Sequence, residues 1–395
     1  MNSGREAPLG ELCSFRHGGT PSKSRRDYWG GQIPWVSPKD MKVTLLTTAE
    51  DSITDAGVEG SATAVVPEGS ILVVVRSGIL AHTLPVARVG SPVAFNQDIK
   101  GIQVTSNRVT PEYIFWFLRA KEPEVLRQGV KKGATVHSLA SGFLESLRVP
   151  LHSLDEQRRI VDLLSRAENI VQMRREAEKK AKEIIPALFL DMFGDPATNP
   201  KGWENRPVGD VIRSAEYGTS TKASEVESGV PVIRMGNVES TGRLSLADLK
   251  YVVLPEDEQR KYTLQSGDIL FNRTNSKDLV GKTGIWRGDT AAVAASYFIR
   301  VRLNEEIMLP DYFWAFMNTS HMKSVLYLTA RGAIGQSNIN AQELRAFVVP
   351  SPPRSLQKTF ARRVDEALDL EGRQSLASST ARTAFQSLLA GMFQG

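Results

Sequence analysis

The stretch SKDLVGKTG, residues 276–284, misses the phosphate-loop pattern G-x-x-x-x-G-K-S/T at one place. Gly281, Lys282 and Thr283 fit it, while Ser276 stands where the leading glycine belongs. A working phosphate loop joins a strand to a helix, so that the amides of the helix N-terminus face the anion. The residues after Thr283 read GIWRGDTAAVAASYFIRV, which is β-branched, aromatic and broken by glycine. No helix is expected there, and nucleotide binding is not the reading we adopt.

Other chemistry is equally poor. The five histidines, His17, His82, His137, His152 and His321, are scattered with no H-x-x-x-H spacing and no cysteine partner. Cys13 is the only cysteine and sits in no motif, so it reads as a small core residue. There is no G-x-S-x-G elbow, no acidic cluster of a nuclease kind, and no glycine-rich turn paired with an Asn/Asp-Pro-Pro-aromatic tetrad. The expectation is a chain that is not an enzyme alone, with no metal and no cofactor of its own.

What recurs instead is loop chemistry suited to a polyanion. The loop HGGTPSKSRRDYWGGQIPWVSPKDMK offers Ser22, Lys23, Arg25, Arg26, Lys39 and Lys42, and Arg76 follows a later apolar run. The second half offers Thr221, Lys222, Arg234 and Asn237, then Arg273, Asn275, Ser276, Lys277 and Lys282. Lys and Arg donate to phosphates, and Arg and Asn also form paired contacts with the edges of guanine and adenine. Such residues populate any solvated loop, so one loop alone carries little; their return in both halves favours a double-stranded DNA surface. The tryptophans read as core edges.

These loops need a frame, and the frame is written twice. PLGELCSFRHGGTPSK from Pro8 matches PVGDVIRSAEYGTSTK from Pro207, and IPWVSPKDM from Ile33 matches VPVIRMGNV from Val230. VPEGSILVVVRSG matches LQSGDILFNRTNS, TPEYIFWFLRA matches LPDYFWAFMNT, and GATVHSLASGFLESLRVPLHSLDEQ matches GAIGQSNINAQELRAFVVPSPPRSLQ. The offset stays between 197 and 200, and the ends ALFLDMFGD and SLLAGMFQG also correspond. Each copy begins with a mixed globule of short β-like runs, among them residues 71–75, 101–104 and 292–301, interrupted by helices at Pro111–Ala120 and Pro310–Met317.

Each copy ends in one long helix. The first is opened by Ser153 and Glu156 in capping-box spacing and stopped by GDPATNP. Its apolar stripe runs through Ile160, Leu164, Ala167, Val171, Ala181, Ile184 and Leu188; the second helix repeats it with Phe360, Val364, Ala367, Ala381, Ala384 and Leu388. Glu371 interrupts the second stripe where Val171 sits in the first. A helix of about 35 residues is on the order of 50 Å long, more than a small globule wraps. The expected fold class is therefore α+β: two α/β globules joined by two long antiparallel α-helices, a coiled-coil-like spacer with an internal pseudo-twofold repeat. The expected divisions are residues 1–152, helix 153–194, linker 195–206, residues 207–354, and helix 355–395.

Composition fits a globular chain: 395 residues, 41% hydrophobic, 24% charged, net charge +5. The longest apolar run, ILVVV at 71–75, is far short of a membrane span. With no apolar leader at the start and a single cysteine, the expected location is a reducing cytoplasm.

The blocks GGTPSKSRRDYWGGQIPWVSPKDM, HSLASGFLESLRVPLHSLDEQRRIVDLL, GDILFNRTNSKDLVGKTGIW and GQSNINAQELRAFVVPSPP resemble those of specificity subunits of type I restriction-modification systems. The resemblance extends over essentially the whole chain. It implies two target recognition domains, each reading half of a bipartite, asymmetric DNA site. It implies that the helices space the halves and dock two modification (methyltransferase) subunits carrying S-adenosylmethionine, with restriction subunits joining where they exist. The alternative from another class is a two-headed, non-enzymatic adaptor that binds proteins.

Overall fold

In a computed structural model the chain is described at residues 6–333 and 336–393. Residues 1–5, Ile334 and Gly335 of the GAIGQSN block, and Gln394 and Gly395 of SLLAGMFQG lie outside the described residues. Four helices organise the molecule: α1 (Pro111–Ala120), α2 (Leu154–Phe193), α3 (Pro310–Met317) and α4 (Arg354–Met392). The chain divides into two compact units, Met1–Arg175 with Ala377–Gly395, and Glu176–Leu376. The division falls within both long helices, so each unit holds one globule and a segment of each helix.

Unit 1 is built on β1 (Cys13–His17), β2 (Trp29–Val36), β3 (Ile71–Val74), β4 (Arg76–Ser77), β5 (Val93–Phe95), β6 (Ile99–Val104), β7 (Val130–Lys131) and β8 (His137–Leu139). β3 comes from the run ILVVV, and its four residues are all buried, as an unbroken apolar run requires when both faces are covered. β6 lies antiparallel between β1 and β3. A second sheet sets β2 parallel to β5, Val36 beside Phe95. A third is the order β7-β8-β4.

Unit 2 repeats this with β9 (Ile212–Tyr217), β10 (Val230–Ile233), β11 (Ile269–Asn272), β12 (Thr274–Asn275), β13 (Thr283–Ile285), β14 (Val293–Ala294), β15 (Phe298–Leu303), β16 (Arg331–Ala333) and β17 (Gln336–Asn338). β15 lies antiparallel between β9 and β11, β10 is parallel to β14, and β17 lies between β12 and β16. One difference corrects the ungapped repeat alignment. β9 carries an irregularity between Ile212 and Ser214 that β1 lacks. The extra residue, Arg213, moves the offset from 199 to 200, so that Gly18 corresponds to Gly218.

The long helices pair within each unit. In unit 1 the start of α2 supplies buried Ile160 and Leu164, and the end of α4 supplies Phe385 and Leu389, with Phe393 just beyond it, to the same core. Phe393 packs on Tyr113 and Phe117 of α1 at 5.2 and 5.8 Å between ring centres. In unit 2 the end of α2 supplies Ile185, Phe189 and Phe193, and the start of α4 supplies Phe360, Val364 and Ala367. Phe193 meets Phe360 at 5.2 Å and Tyr312 of α3 at 4.7 Å. End against start in both units means antiparallel helices.

The stripe differs from the expected one at its ends. Ala181 and Ala367 are buried, and Ala167, Val171, Leu188, Ala381 and Leu388 are half-buried. Ile184, at 37% exposure, and Ala384 face out, and their neighbours Ile185 and Phe385 are buried instead. A strict seven-residue repeat slips about 20° per heptad on a straight helix, and the large side chains at 185, 189, 385 and 389 set the buried face.

One glutamine fastens each globule to its helix, in the same way in the two units. Buried Gln157 accepts from Thr110 N at 3.0 Å and donates to Arg108 O and His152 O. Buried Gln357 accepts from Leu309 N at 2.8 Å and donates to Ile307 O and Pro352 O. The hydroxyls of Tyr113 and Tyr312 donate to Pro150 O and Pro350 O. Where the first stripe has Val171, α4 has buried Glu371, which accepts both Nε and Nη2 of Arg243 at 2.9 and 2.5 Å. No described helix is long and apolar enough to cross a membrane.

Candidate nucleic-acid interface

The strand directions bring the candidate loops together. Because β6 runs antiparallel to both β1 and β3, the latter two run parallel and end beside each other, His17 opposite Lys100 and Val74 opposite Ile99. β2 ends at the same place, Val36 O accepting from Asn96 N at 3.0 Å. Three segments therefore leave one end of unit 1 around the turn Asn96-Gln97-Asp98: the loop from Gly18, the turn from Ser37, and β4. Gly18 makes the closure sterically feasible, since a Cβ there would stand 2.2 Å from Asn96 O. Thr20 Oγ1 donates to Gln97 at 2.6 Å, and Arg76 Nε donates to Asp98 Oδ1 at 2.7 Å.

Unit 2 repeats the convergence around Ala295-Ser296-Tyr297. Tyr217 and Asn272 end β9 and β11 opposite Ile299 and Phe298. Ile233 O accepts from Ala295 N at 3.0 Å, and Gly218 leaves its Cβ position 2.1 Å from Ala294 O. The Arg273 guanidinium lies 4.7 Å over the Tyr217 ring, joining the two loops directly. In both units the later block also returns: β4 pairs with β8, and β12 pairs with β17.

The expected residues fall into two groups. Lys23, Arg26 and Lys42 in unit 1 and Lys222 in unit 2 are exposed and have no ion-pair partner among the described residues. Ser22 and Thr221 are exposed beside them, Ser22 sharing a hydrogen bond with Ser24. Lys277 is exposed and lies 4.5 Å over Tyr327; Asn275 and Ser276 are half-buried at the mouth of the loop. Others are neutralised. Arg25 pairs with Asp27, Lys39 with Glu50 and Asp51, Arg76 with Asp98, and Arg234 with Asp248. The side-chain bonds to Asp27 raise the affinity of Arg25 for its proton, and those to Asp51 and Glu50 do the same for Lys39.

Two expected contacts turn inward. Asn237 is 3% exposed, and its amide is used on Ser245 O and Asp248 O at 3.1 and 2.9 Å. Lys282 donates to Met235 O and Val238 O, holding the same turn, and burial pulls its pKa below the usual lysine value. The loop that resembles a phosphate cradle is a hairpin: β11 and β13 are antiparallel, Gly281 N donates to Asn272 O, and Gly281 has φ +82°. Strand leads to strand, with no helix N-terminus for an anion. Asp98, Gln97 and Tyr217 take part in the convergence but were not singled out by sequence; only the strand pairing brings them there. Cys13 is buried in the core, its thiol pushed up to about 12 by desolvation.

Compared with known proteins, the chain matches the family model for the type I restriction modification DNA specificity domain at residues 5–183 and 200–375. It is 37% identical over 181 residues to a type I restriction enzyme specificity subunit of Escherichia coli, across 44% of this chain and 45% of that protein. It is 24% identical over 368 residues to the type I restriction enzyme MjaIX specificity subunit of Methanocaldococcus jannaschii, across 87% of this chain and 82% of that protein. A chain solved in work on assembly and conformational transition of the type I R-M system superposes with TM-score 0.63 at 17% identity, covering 100% of this chain and 99% of that one. The type I S subunit from M. genitalium gives 0.57 at 12% identity, covering 100% and 98%. The chain belongs to the type I restriction-modification DNA specificity family, and carries its domain twice.

Proposed function

We propose that this chain is the DNA-reading subunit of a type I restriction-modification assembly and does no catalysis alone. Residues 1–152 and 207–354 act as target recognition domains, each reading one half of a bipartite, asymmetric site on double-stranded DNA. The helices at 153–194 and 355–395, either side of the linker 195–206, space the two halves and dock two methyltransferase subunits. Those subunits bring S-adenosylmethionine, and restriction subunits, where the system has them, bring ATP-driven cleavage. The work is done in the cytoplasm, where the DNA is. One observation carries the reading: in both units, three separate loop segments converge at one sheet end and present exposed Lys and hydroxyl groups, with arginines beside them. Phosphate contacts by the free lysines fix position, and the side chains at the convergence read base edges.

The test is to express the chain with its candidate methyltransferase subunit, weigh the complex, and sequence the methylome of the cells. A 2:1 complex and a gapped, two-part methylated motif are expected. A lone chain with no complex and no new methylation leaves the adaptor reading.

A further inference from the structure

Arg76 is set apart from the other cations of unit 1 by how it is held. Its Nε donates to Asp98 Oδ1 at 2.7 Å, while its side chain remains 57% exposed. Asp98 is itself fixed: Asn96 Nδ2 donates to Oδ2 at 3.2 Å, the Asp98 amide donates to Asn96 Oδ1 at 3.0 Å, and Asn96 is 6% exposed. The backbone closes the arrangement, since Val75 N and Arg76 N both donate to Asp98 O, at 2.8 and 3.1 Å. With Nε occupied, the terminal nitrogens of Arg76 have no hydrogen-bond partner among the described residues.

A phosphate is a poor match for this group. The carboxylate beside the guanidinium cancels its charge and repels a second anion. A neutral base edge with two acceptors side by side matches a held fork, and guanine O6 and N7 present that pair in the major groove. We propose that Arg76 is the guanine-reading residue of the half-site bound by unit 1, with Asp98 as its positioning residue. This rests on the DNA-reading function proposed above. Unit 2 has no such pair at the corresponding places, which hold Thr274 and Tyr297, so the two halves of the site are read by different side chains.

The experiment uses the assembled complex with its methyltransferase subunits and duplexes carrying every substitution in the methylated motif, with binding measured across a salt series. Arg76→Ala is expected to lose discrimination at one G·C pair by roughly 5- to 150-fold, leaving the other positions alone. Arg76→Ala also leaves the Asp98 carboxylate unpaired, so the salt slope is read in the double variant Arg76→Ala with Asp98→Asn, which removes both charges. That slope is expected to stay within about 0.3 of the parent, against a fall of about 0.9 for a lost phosphate contact. Arg76→Lys keeps the charge but not the fork, and is expected to lose the same discrimination. Asp98→Asn frees the guanidinium charge: discrimination at that pair falls and the salt slope steepens by up to about 0.9. Full discrimination by Arg76→Ala, or a uniform loss across all positions with a shallower slope in the double variant, overturns the assignment alone. A parent complex with no site-selective binding overturns the DNA-reading function and this assignment together.

Discussion

Glu371 offers a sharp test of how α4 is held in unit 2. Its carboxylate takes two hydrogen bonds from Arg243, the side chains are only 16% and 10% exposed, and the guanidinium lies 4.7 Å over the Trp314 ring. Replacing Glu371 with Gln keeps the shape but strands a nearly buried cation. Removing one partner of a buried pair costs about 3–5 kcal/mol, and the residual exposure of Arg243 places this case near 3 kcal/mol. For a unit of about 200 residues each kcal/mol moves the midpoint by roughly 2–4 °C, so a fall of about 6–12 °C is expected. Calorimetry on the full chain reads it. The double variant Arg243→Leu with Glu371→Val, which puts the residue of the first stripe into the second, is expected to recover all but about 1 kcal/mol, because a well-packed apolar pair replaces a desolvated ionic one. A Glu371→Gln variant within about 0.5 kcal/mol of the parent refutes the argument. So does a double variant that loses the sum of both singles.

Other outcomes follow from the same geometry. Gln157→Leu and Gln357→Leu each leave three enclosed backbone groups unpaired, and each is expected to cost about 2–4 kcal/mol in urea unfolding, by similar amounts in the two units. Cys13 has its thiol raised from 9.0 to about 12, so the unfolded chain loses that proton first. Stability therefore falls as pH rises from about 9 towards 12, Cys13→Ala flattens that slope, and alkylation of the native thiol stays slow through pH 10. Lys282→Ala frees the carbonyls of Met235 and Val238 and is expected to weaken DNA binding by the complex, while calorimetry finds no ATP binding in either protein. Tight ATP binding by the parent chain would contradict the hairpin reading. Lys23→Ala and Lys222→Ala are each expected to lower affinity equally for all sequences and to reduce the salt slope by about 0.9.

The duplication, the long helices and the class of partner were legible in the residues, because order and spacing over several blocks survive the drift of individual positions. Helix starts and stops were local and readable too: Ser153 Oγ accepts from Glu156 N at 3.2 Å, and Gly194 follows α2 with φ +82°. Which side of a long helix is buried was less legible. Ile184 and Ile185 are equal in polarity, and Ile185 is the one buried because it shares a helix face with Phe189, which stacks on Tyr312 of α3.

The site divides along the same line. Sequence alone determined the residue types able to hold a polyanion, and the loops that carry them, because composition and repetition are properties of the chain. Only the tertiary structure decided which of those cations are free. Asp98 and Arg76 are 22 residues apart, Arg243 and Glu371 are 128 apart, and Lys282 meets carbonyls more than 40 residues away. Charge neutralisation and desolvation act through space over a few ångströms, and strand pairing sets those distances after the sequence has been folded.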